Sequence, residues 1–414
     1  MTKNRPAFVL SIFFIVLILL VGGCGGNGSF TTPEPPTTPK KWTFMLYLDG
    51  DELAMQQDFI AAFSEMITAE VGSSDDVNVV IQFDRWPTVE AYGAWSITHR
   101  FLYTPGMEPT PENAISDWVD GLGGGREVDM SDPETLTSFI GWAAKNYPAD
   151  NYALLVGDHG YGWRGLMIDM TSDGNFMTVK ELSNALNNAG VHLNLLALDA
   201  CAMQMNEVLH ELRNTSVDIV VGSEALGTTW PFANIIQSLT DNPGLFTEDF
   251  GQIINDLYYE YHRDDPDITL STIKLEKIDG VTTAVKALAG EMLASSSFTT
   301  IQTKAAAVMD KIDEAVVYYR NGSNWDSAHG LTIYFPPLEV GYMPTEFFYS
   351  YNTEVISFAE DALWRDFLFV YYNMSIYRGA IPPEIYHVRN AMSEFDDTNI
   401  DLYDFCWRIV NYSG

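Results

Sequence analysis

The chain has 414 residues, of which 47% are hydrophobic and 19% are charged, so it carries enough apolar material for a sizeable core and is not largely disordered. Its length is typical of two to three folded units, or of one large unit with additions. Fifty-six acidic and 22 basic residues give a net charge of −34, which argues against binding to nucleic acid or to an anionic lipid surface. Three cysteines are too few for a disulfide framework.

The N-terminal segment has the composition of an export signal. Two basic residues precede an apolar run over residues 7–21, and two glycines then lead to Cys24. Val-Gly-Gly-Cys resembles the lipobox of bacterial lipoproteins, which implies that residues 1–23 are a signal peptide and that Cys24 is acylated. The alternative is an ordinary signal peptide followed by a chance cysteine. Residues 24–41 are rich in glycine and proline and predict a tether, so we expect an exported bacterial lipoprotein anchored to a cell-envelope membrane through Cys24.

From residue 42 onward, short apolar runs alternate with segments of helical spacing. Strands are predicted over residues 42–48, 77–83, 152–156, 193–198 and 217–221, with a hairpin over 92–103. Helices are predicted over residues 52–70, 134–146 and 203–213, and from the Thr178-x-x-Glu181 capping box to about residue 188. This alternation predicts an α/β fold with a mostly parallel sheet that helices cover on both faces.

The second half of the chain is less regular. Helices are predicted over residues 248–262, 277–295, 300–319 and 357–374, and strands over 268–275 and 330–336, the latter a core strand that a proline ends. We therefore divide the mature chain into a catalytic α/β core over residues 42–240 and an α/β extension over 241–380 that completes the sheet. The tail over residues 381–414 has no structure that the sequence defines.

Reactive side chains directly follow two of the predicted strands. One strand leads into Gly157-Asp158-His159-Gly160 and another into Asp199-Ala200-Cys201. Functional groups of an open parallel sheet gather beyond the carboxyl ends of its strands, so neighbouring strands would place His159 and Cys201 on one rim. A thiol beside an imidazole suits acyl transfer, and the amides of Gly160 and Cys201 are candidates for stabilising an oxyanion. Taken singly, either residue has a plainer explanation as a buried thiol or a structural histidine.

These segments resemble the clostripain family of cysteine peptidases. The resemblance spans residues 41–336 and is carried by residues 41–51, 158–163, 169–186, 199–207 and 330–336. It implies a three-layer α/β/α sandwich of the caspase–hemoglobinase type and a Cys/His dyad. In that dyad Cys201 is the nucleophile and His159 the general acid/base, so the resemblance implies a cysteine endopeptidase with protein or peptide substrates.

The same resemblance implies cleavage after arginine or lysine, which requires a carboxylate in the first specificity pocket. Asp199 and Glu224 are the candidate carboxylates, and Trp230 is the third residue that we expect to contact the substrate. The alternative role for Asp199 is to cap the following helix. Relatives often have another acid beside the tryptophan, where this chain has Thr229 and Pro231, and this departure bears on the basic specificity rather than on the dyad.

The predicted chemistry requires no cofactor. The acidic loop over residues 169–175 partly imitates an EF-hand, but Lys180 occupies the twelfth position, so a solvated turn is favoured over a calcium site although calcium dependence occurs among relatives. The other histidines lack metal-ligand spacing, so we predict no metal site. We expect a monomer. The alternative function is a non-catalytic surface lipoprotein that uses the peptidase fold as a binding scaffold.

Overall fold

The computed structural model describes residues 38–86, 90–93, 95–115, 127–294, 296–336, 350–352, 354–372, 383–392 and 399–412. The predicted signal peptide, Cys24 and most of the predicted tether lie outside these ranges. Within them, no helix is both long enough and apolar enough to cross a lipid bilayer.

An eight-stranded sheet lies at the centre of the fold. Two smaller sheets of two strands each, β5-β6 and β11-β12, accompany it. The strands of the described residues in chain order are β1 (Lys40–Gly50), β2 (Val77–Arg85), β3 (His99–Leu102), β4 (Ala149–Gly157), β5 (Leu166–Asp169), β6 (Asn175–Met177), β7 (Leu193–Asp199), β8 (Val217–Gly222), β9 (Thr269–Lys274), β10 (Val316–Asn321), β11 (Thr332–Tyr334) and β12 (Asn399–Asp401). The main sheet has the order β10-β9-β8-β7-β4-β1-β2-β3. Its five central strands are parallel, whereas β3, β9 and β10 pair antiparallel at the two edges.

Helices cover both faces of this sheet. One layer contains α1 (Leu53–Thr68), α5 (Phe232–Asp241) and α6 (Thr247–Tyr261), and the other contains α2 (Pro133–Asn146), α3 (Val179–Ala189), α4 (Asn206–Leu212), α7 (Ile278–Leu293) and α8 (Phe298–Ala315). Because side chains alternate along a strand, β1 supplies Phe44 and Leu46 to the first layer and Met45 and Tyr47 to the second. The predicted three-layer α/β/α architecture is confirmed.

Most predicted elements are confirmed, but several differ from the prediction. The predicted hairpin over 92–103 contains a short 3-10 turn at Ala91–Gly93 and a single strand, which pairs with β2. Residues 316–319, predicted as the end of a helix, begin β10, where the run Val-Val-Tyr-Tyr favours an edge strand. The predicted core strand over 330–336 is confirmed as a buried strand, β11, but it pairs with β12 in a separate two-stranded sheet and not with the main sheet.

The C-terminal segments belong to the second helical layer. They form the helices Phe358–Asp361, Trp364–Tyr371, Pro383–Ala391 and Leu402–Asn411, where one helix was predicted over 357–374 and no structure beyond 380. The predicted helix is interrupted where Leu363 adopts a φ of 56°, a left-handed conformation that α-helical backbone cannot continue. Cys406 is fully buried among the apolar side chains of this layer.

Candidate active site

The two strands that precede the predicted dyad are neighbours in the sheet. β4 and β7 are parallel, and their register pairs Gly157 with Asp199. The N–H of Asp158 donates a hydrogen bond to the carbonyl of Asp199 at 3.2 Å, so the pairing continues past the strand end. His159 and Cys201 each follow two residues after the paired positions, which places their backbones on the rim that the sequence predicts.

Gly160 brings the two loops into direct contact. A Cβ atom at residue 160 would lie 2.2 Å from the carbonyl oxygen of Cys201 and 2.5 Å from its nitrogen. No side chain fits in that space, so this position requires glycine. The residue after His159 therefore rests against the backbone of Cys201.

Cys201 lies in a tightly constrained turn at the end of β7. Its side chain is half-buried, and the N–H of Gly227 donates to its Sγ at 3.2 Å. The next residue, Ala202, has a φ of 57°, and its N–H donates to the carbonyl of Ala225 at 2.7 Å. Left-handed backbone at a non-glycine residue is uncommon and is enriched at functional sites. The loop after β8 thus fixes both the sulfur and the turn that carries it.

His159 faces solvent with an acidic neighbour that the sequence did not reveal. Its side chain is 41% exposed, and its Nε2 lies 3.8 Å from the Oε2 of Glu52. The same Oε2 accepts from the N–H groups of Ala54 and Met55 at 3.1 and 3.3 Å, so Glu52 caps α1. The only sequence signal for Glu52 was its position at the start of a predicted helix. Its carboxylate therefore lies where it can interact with a protonated imidazole.

Asp158 supports the His159 loop from inside the protein. Its Oδ2 accepts from the N–H of Ile168 at 2.6 Å, and its side chain is almost fully buried. The pKa of Asp158 is raised to about 8, chiefly by burial and in addition by the nearby carboxylates of Asp169 and Glu52, while hydrogen bonds from the backbone N–H groups of His159 and Ile168 oppose the rise. This buried carboxyl thus links the backbone of β5 to the loop that carries the imidazole.

Asp199 is a buried carboxylate without a donor. Its residue is 7% exposed, no hydrogen bond from a described residue reaches its side chain, and neither of its oxygens is among the fully enclosed polar atoms that lack a partner. Burial raises its pKa well above the ordinary value, and the carboxylates of Asp58 and Asp158 add to the rise. Helix α4 begins at Asn206 after Met205 with no side-chain cap, so Asp199 does not cap it. The side chain of Asp199 therefore does not satisfy the end of this helix.

Glu224 and Trp230 lie in the interior, which differs from the substrate contact expected for them. Glu224 is 1% exposed, and its Oε1 accepts from the N–H of Gly330 at 2.9 Å. Burial and the adjacent Asp401 raise the pKa of Glu224 well above its usual value. Trp230 is also 1% exposed and packs on Tyr258 with ring centroids 5.9 Å apart. Neither side chain offers a surface to a substrate, because Glu224 is hydrogen-bonded in the interior and Trp230 packs on Tyr258.

Comparison with known proteins identifies the family of the chain. Residues 46–334 match the family model of the clostripain family. The chain belongs to the clostripain family. Clostripain from Hathewaya histolytica is 29% identical over an alignment of 143 residues. The match covers 30% of this chain and only 27% of that clostripain.

Two solved structures are similar to this clostripain-family chain in fold. One is a secreted cysteine protease from Bacteroides thetaiotaomicron in complex with an irreversible peptide inhibitor, with a TM-score of 0.58 and 18% identity, covering 78% of this chain and 99% of that one. The other is an inactive zymogen from Parabacteroides distasonis, with a TM-score of 0.58, 19% identity and the same coverage. They confirm the caspase-like α/β/α fold that the resemblance implies.

Proposed function

We propose that this member of the clostripain family is a cysteine endopeptidase, with Cys201 as nucleophile and His159 as general acid/base. The observation that supports the proposal is the close contact of Gly160 with the backbone of Cys201, at the ends of the paired strands β4 and β7. This contact requires glycine at position 160, and Ala202 adopts a left-handed backbone conformation. Such constrained residues are expected where the position of the backbone matters for chemistry.

The proposed reaction has two steps. The Sγ of Cys201 attacks the peptide carbonyl carbon while its proton passes to His159, and the tetrahedral oxyanion is stabilised by backbone N–H groups, for which Gly160 and Cys201 are the candidates. The imidazolium then protonates the leaving amine as the C–N bond breaks, which leaves a thioester on Cys201. A water molecule gives up a proton to His159 and hydrolyses the thioester, which restores the thiol and releases the carboxylate product.

We propose that Asp199 binds an arginine or lysine side chain before the scissile bond. The carboxylate is two residues from Cys201, receives no hydrogen bond from a described residue and has the carboxylates of Asp58 and Asp158 near it, so a guanidinium or ammonium group would donate hydrogen bonds to it and balance the negative charge. Asp199→Asn keeps the shape and removes the charge. The ratio of kcat/KM for arginyl over leucyl peptides should fall at least about tenfold in this variant, and an unchanged ratio would disprove the role.

Removal of the nucleophile tests the peptidase proposal. Cys201→Ala should lower kcat/KM on fluorogenic peptides by at least about 1000-fold and abolish labelling by a thiol-reactive peptide probe. Cys406→Ala is the matched control because its thiol is fully buried, and it should keep both activities. If Cys201→Ala retained hydrolysis, the mechanism would be rejected. If the wild-type protein folded but showed neither hydrolysis nor labelling, the non-catalytic scaffold would be the better account.

We also propose that acylated Cys24 anchors the protein to a cell-envelope membrane, because a basic, apolar and Gly-Gly-Cys sequence precedes a Gly/Pro-rich tether. Metabolic labelling with a fatty-acid analogue should mark the wild-type chain and not Cys24→Ser. Recovery of both proteins in the soluble fraction without label would refute the anchor and leave the peptidase proposal untouched.

A further inference from the structure

Glu224 is a buried carboxyl group that the proposed mechanism does not use. Its Oε1 accepts from the N–H of Gly330 at 2.9 Å, whereas its Oε2 is buried and has no hydrogen-bond partner among the described residues. The side chain of Asp401, the last residue of β12, lies beside it. An ionised Glu224 would be a buried charge next to a second carboxylate, so the oxygen without a donor points to a proton on this pair.

Asp401 is the member of the pair that is satisfied as an anion. Its Oδ2 accepts from the N–H of His329 at 2.7 Å, and its Oδ1 accepts from the N–H of Asp404 at 2.7 Å. Asp401 also caps the helix Leu402–Asn411, whose N-terminus favours negative charge. Both oxygens of Asp401 therefore have a donor, while Glu224 has a donor on one oxygen only. The proton of the pair belongs on Glu224.

The groups around the pair add little positive charge. The nearby titratable groups come from the segment before β11, from β10, from α8 and from the C-terminal helix, and they are His329, Tyr319, Asp310, Asp313, Tyr403, Asp404, Cys406 and Arg408. Arg408 pairs with Asp404 at 2.8 Å, and the Nδ1 of His329 is 3.8 Å from the Oδ1 of Asp401. The neighbouring β9 contributes the hydroxyl of Thr269, which accepts from the N–H of Glu224 at 2.9 Å. None of these described contacts brings a cation to the carboxyl of Glu224.

The chain on both sides of Glu224 supports the turn that carries the proposed nucleophile. Three hydrogen bonds join residues 223–227 to residues 201–204. They run from the N–H of Gln204 to the carbonyl of Ser223 at 2.9 Å, from the N–H of Ala202 to the carbonyl of Ala225 at 2.7 Å, and from the N–H of Gly227 to the Sγ of Cys201 at 3.2 Å. A displacement of Glu224 would therefore disturb the turn on both sides of Cys201.

Strand β11 connects the same turn to the C-terminal segment. The N–H of Thr332 donates to the carbonyl of Gln204 at 3.0 Å, and the N–H of Leu402 donates to the carbonyl of Leu331 at 2.8 Å. Glu224 and Asp401 meet beside this strand, because one accepts from Gly330 and the other pairs with Thr332 in the β11–β12 sheet. Asp401 lies beyond residue 334, where the family match ends.

We propose that Glu224 and Asp401 share one proton and thereby position the turn of Cys201, so that loss of this proton in alkaline solution loosens the support of the nucleophile. Protonated Glu224 donates its O–H to Asp401 and accepts from Gly330. When the proton leaves to solvent, two adjacent buried carboxylates repel each other and residues 223–227 move. Glu224 is thus a positioning residue. Its effect on catalysis rests on the proposed peptidase function, whereas the coupling of the two loops does not.

The direction of the pKa shift gives the sign of the effect. Burial and then the charge of Asp401 raise the pKa of Glu224 well above its ordinary value, while the hydrogen bond from Gly330 opposes the rise. The folded state therefore binds this proton more tightly than the unfolded state. The resulting stability is present in acid and is lost as the pH rises through the pKa of the folded state.

Glu224→Gln in the whole chain tests the proposal, because the amide keeps an acceptor for Gly330 and a donor for Asp401 but cannot ionise. The variant and the wild type are compared at the same pH, which cancels the ionisation of Cys201 and His159. At about pH 6 their Tm and kcat/KM should agree within about twofold in rate and about 1 °C. At about pH 9 the variant should have a Tm at least about 3 °C higher and a kcat/KM at least about threefold higher.

Hydrogen exchange reports on the turn without relying on activity. At about pH 9 the amides of residues 201–204 and 223–227 should exchange at least about threefold faster in the wild type than in Glu224→Gln. Asp404→Asn is the matched control, since it removes a carboxylate from the same C-terminal helix whose partner is Arg408, and it should differ from the wild type equally at both pH values.

The proposal is overturned if Glu224→Gln and the wild type have the same pH profiles of Tm and exchange, or if Glu224→Gln already loses at least about tenfold in kcat/KM at about pH 6. A wild type that shows the exchange and Tm effects but no hydrolysis would reject the peptidase function and leave the carboxyl pair supported.

Discussion

Replacement of Gly160 by alanine is the sharpest test of how the two loops are held together. The new methyl group would lie 2.2 Å from the oxygen and 2.5 Å from the nitrogen of Cys201, and 2.9 Å from the carbonyl carbon of Ala200. Favourable contacts between heavy atoms are at about 3.5 Å, so the backbones must separate by about 1 Å. All three obstructing atoms belong to the main chain, so rotation of a side chain cannot relieve the clash.

A misplacement of about 1 Å at a catalytic pair lowers the rate by about 100-fold, which corresponds to about 2.7 kcal/mol of transition-state stabilisation. We therefore expect Gly160→Ala to reduce kcat/KM on a fluorogenic peptide by at least this factor. The alkylation rate of Cys201 by iodoacetamide should also change, because this reaction reports on the thiol without requiring a peptide in the site.

Gly141→Ala provides the matched control. Gly141 lies inside α2, and a Cβ at that position would meet no atom within 4 Å. Alanine should leave activity unchanged and raise the free energy of unfolding by about 0.5–1 kcal/mol, since glycine is a weaker helix former. If Gly160→Ala kept wild-type kcat/KM within threefold while remaining folded, the close contact between the loops would not matter for function and the argument from it would fail.

Three further changes give distinct outcomes. Burial raises the pKa of Glu207 from 4.5 to about 7, so the folded state binds the proton more tightly and the unfolding free energy falls as the pH rises through this window. Glu207→Gln should remove about 3 kcal/mol of this pH dependence, measured by urea unfolding at about pH 4.5 and about pH 8. Identical pH profiles for the variant and the wild type would contradict this prediction. Glu52→Gln should lower kcat/KM about two- to fivefold by removing an exposed charge 3.8 Å from His159 Nε2, and an unchanged kcat/KM would contradict a role for this charge. Thr178→Ala deletes the capping box of α3 and should lower the unfolding free energy by about 1 kcal/mol with kcat/KM unchanged; equal stability in thermal and urea unfolding would count against the cap.

The sequence predicts the sheet well where local pattern and tertiary packing agree. The apolar runs of β1, β4 and β7 are buried on both faces, so composition alone distinguishes them from amphipathic segments. The same logic predicts the shared rim of His159 and Cys201. Residues 316–319 were missed because they continue a helical pattern from α8, and only pairing with β9 makes them a strand.

Contacts that depend on the register between strands, or on packing of distant segments, could not be predicted from the sequence. Asp49 pairs with Asp84 only because β1 and β2 align in one particular way, and this alignment brings Asp51 near Asp84, while Asp169 approaches both from the β5–β6 hairpin. Burial of Glu224 and Trp230 likewise results from segments far along the chain, such as Gly330 and Tyr258. Spacing in sequence carries no information on contacts of this kind.

The aromatic cluster behind the His159 loop limits where the protein can be truncated. The family match stops at residue 334, yet the Trp163 ring packs on Tyr351 with centroids 5.0 Å apart, and Phe335 packs on Tyr371 at 4.9 Å. An expression fragment cut at the family boundary would lack Phe335, Tyr351 and Tyr371, which would expose the Trp163 ring to water and loosen the segment four residues after the imidazole. For crystallisation, the protein should therefore be shortened only from its N-terminal side.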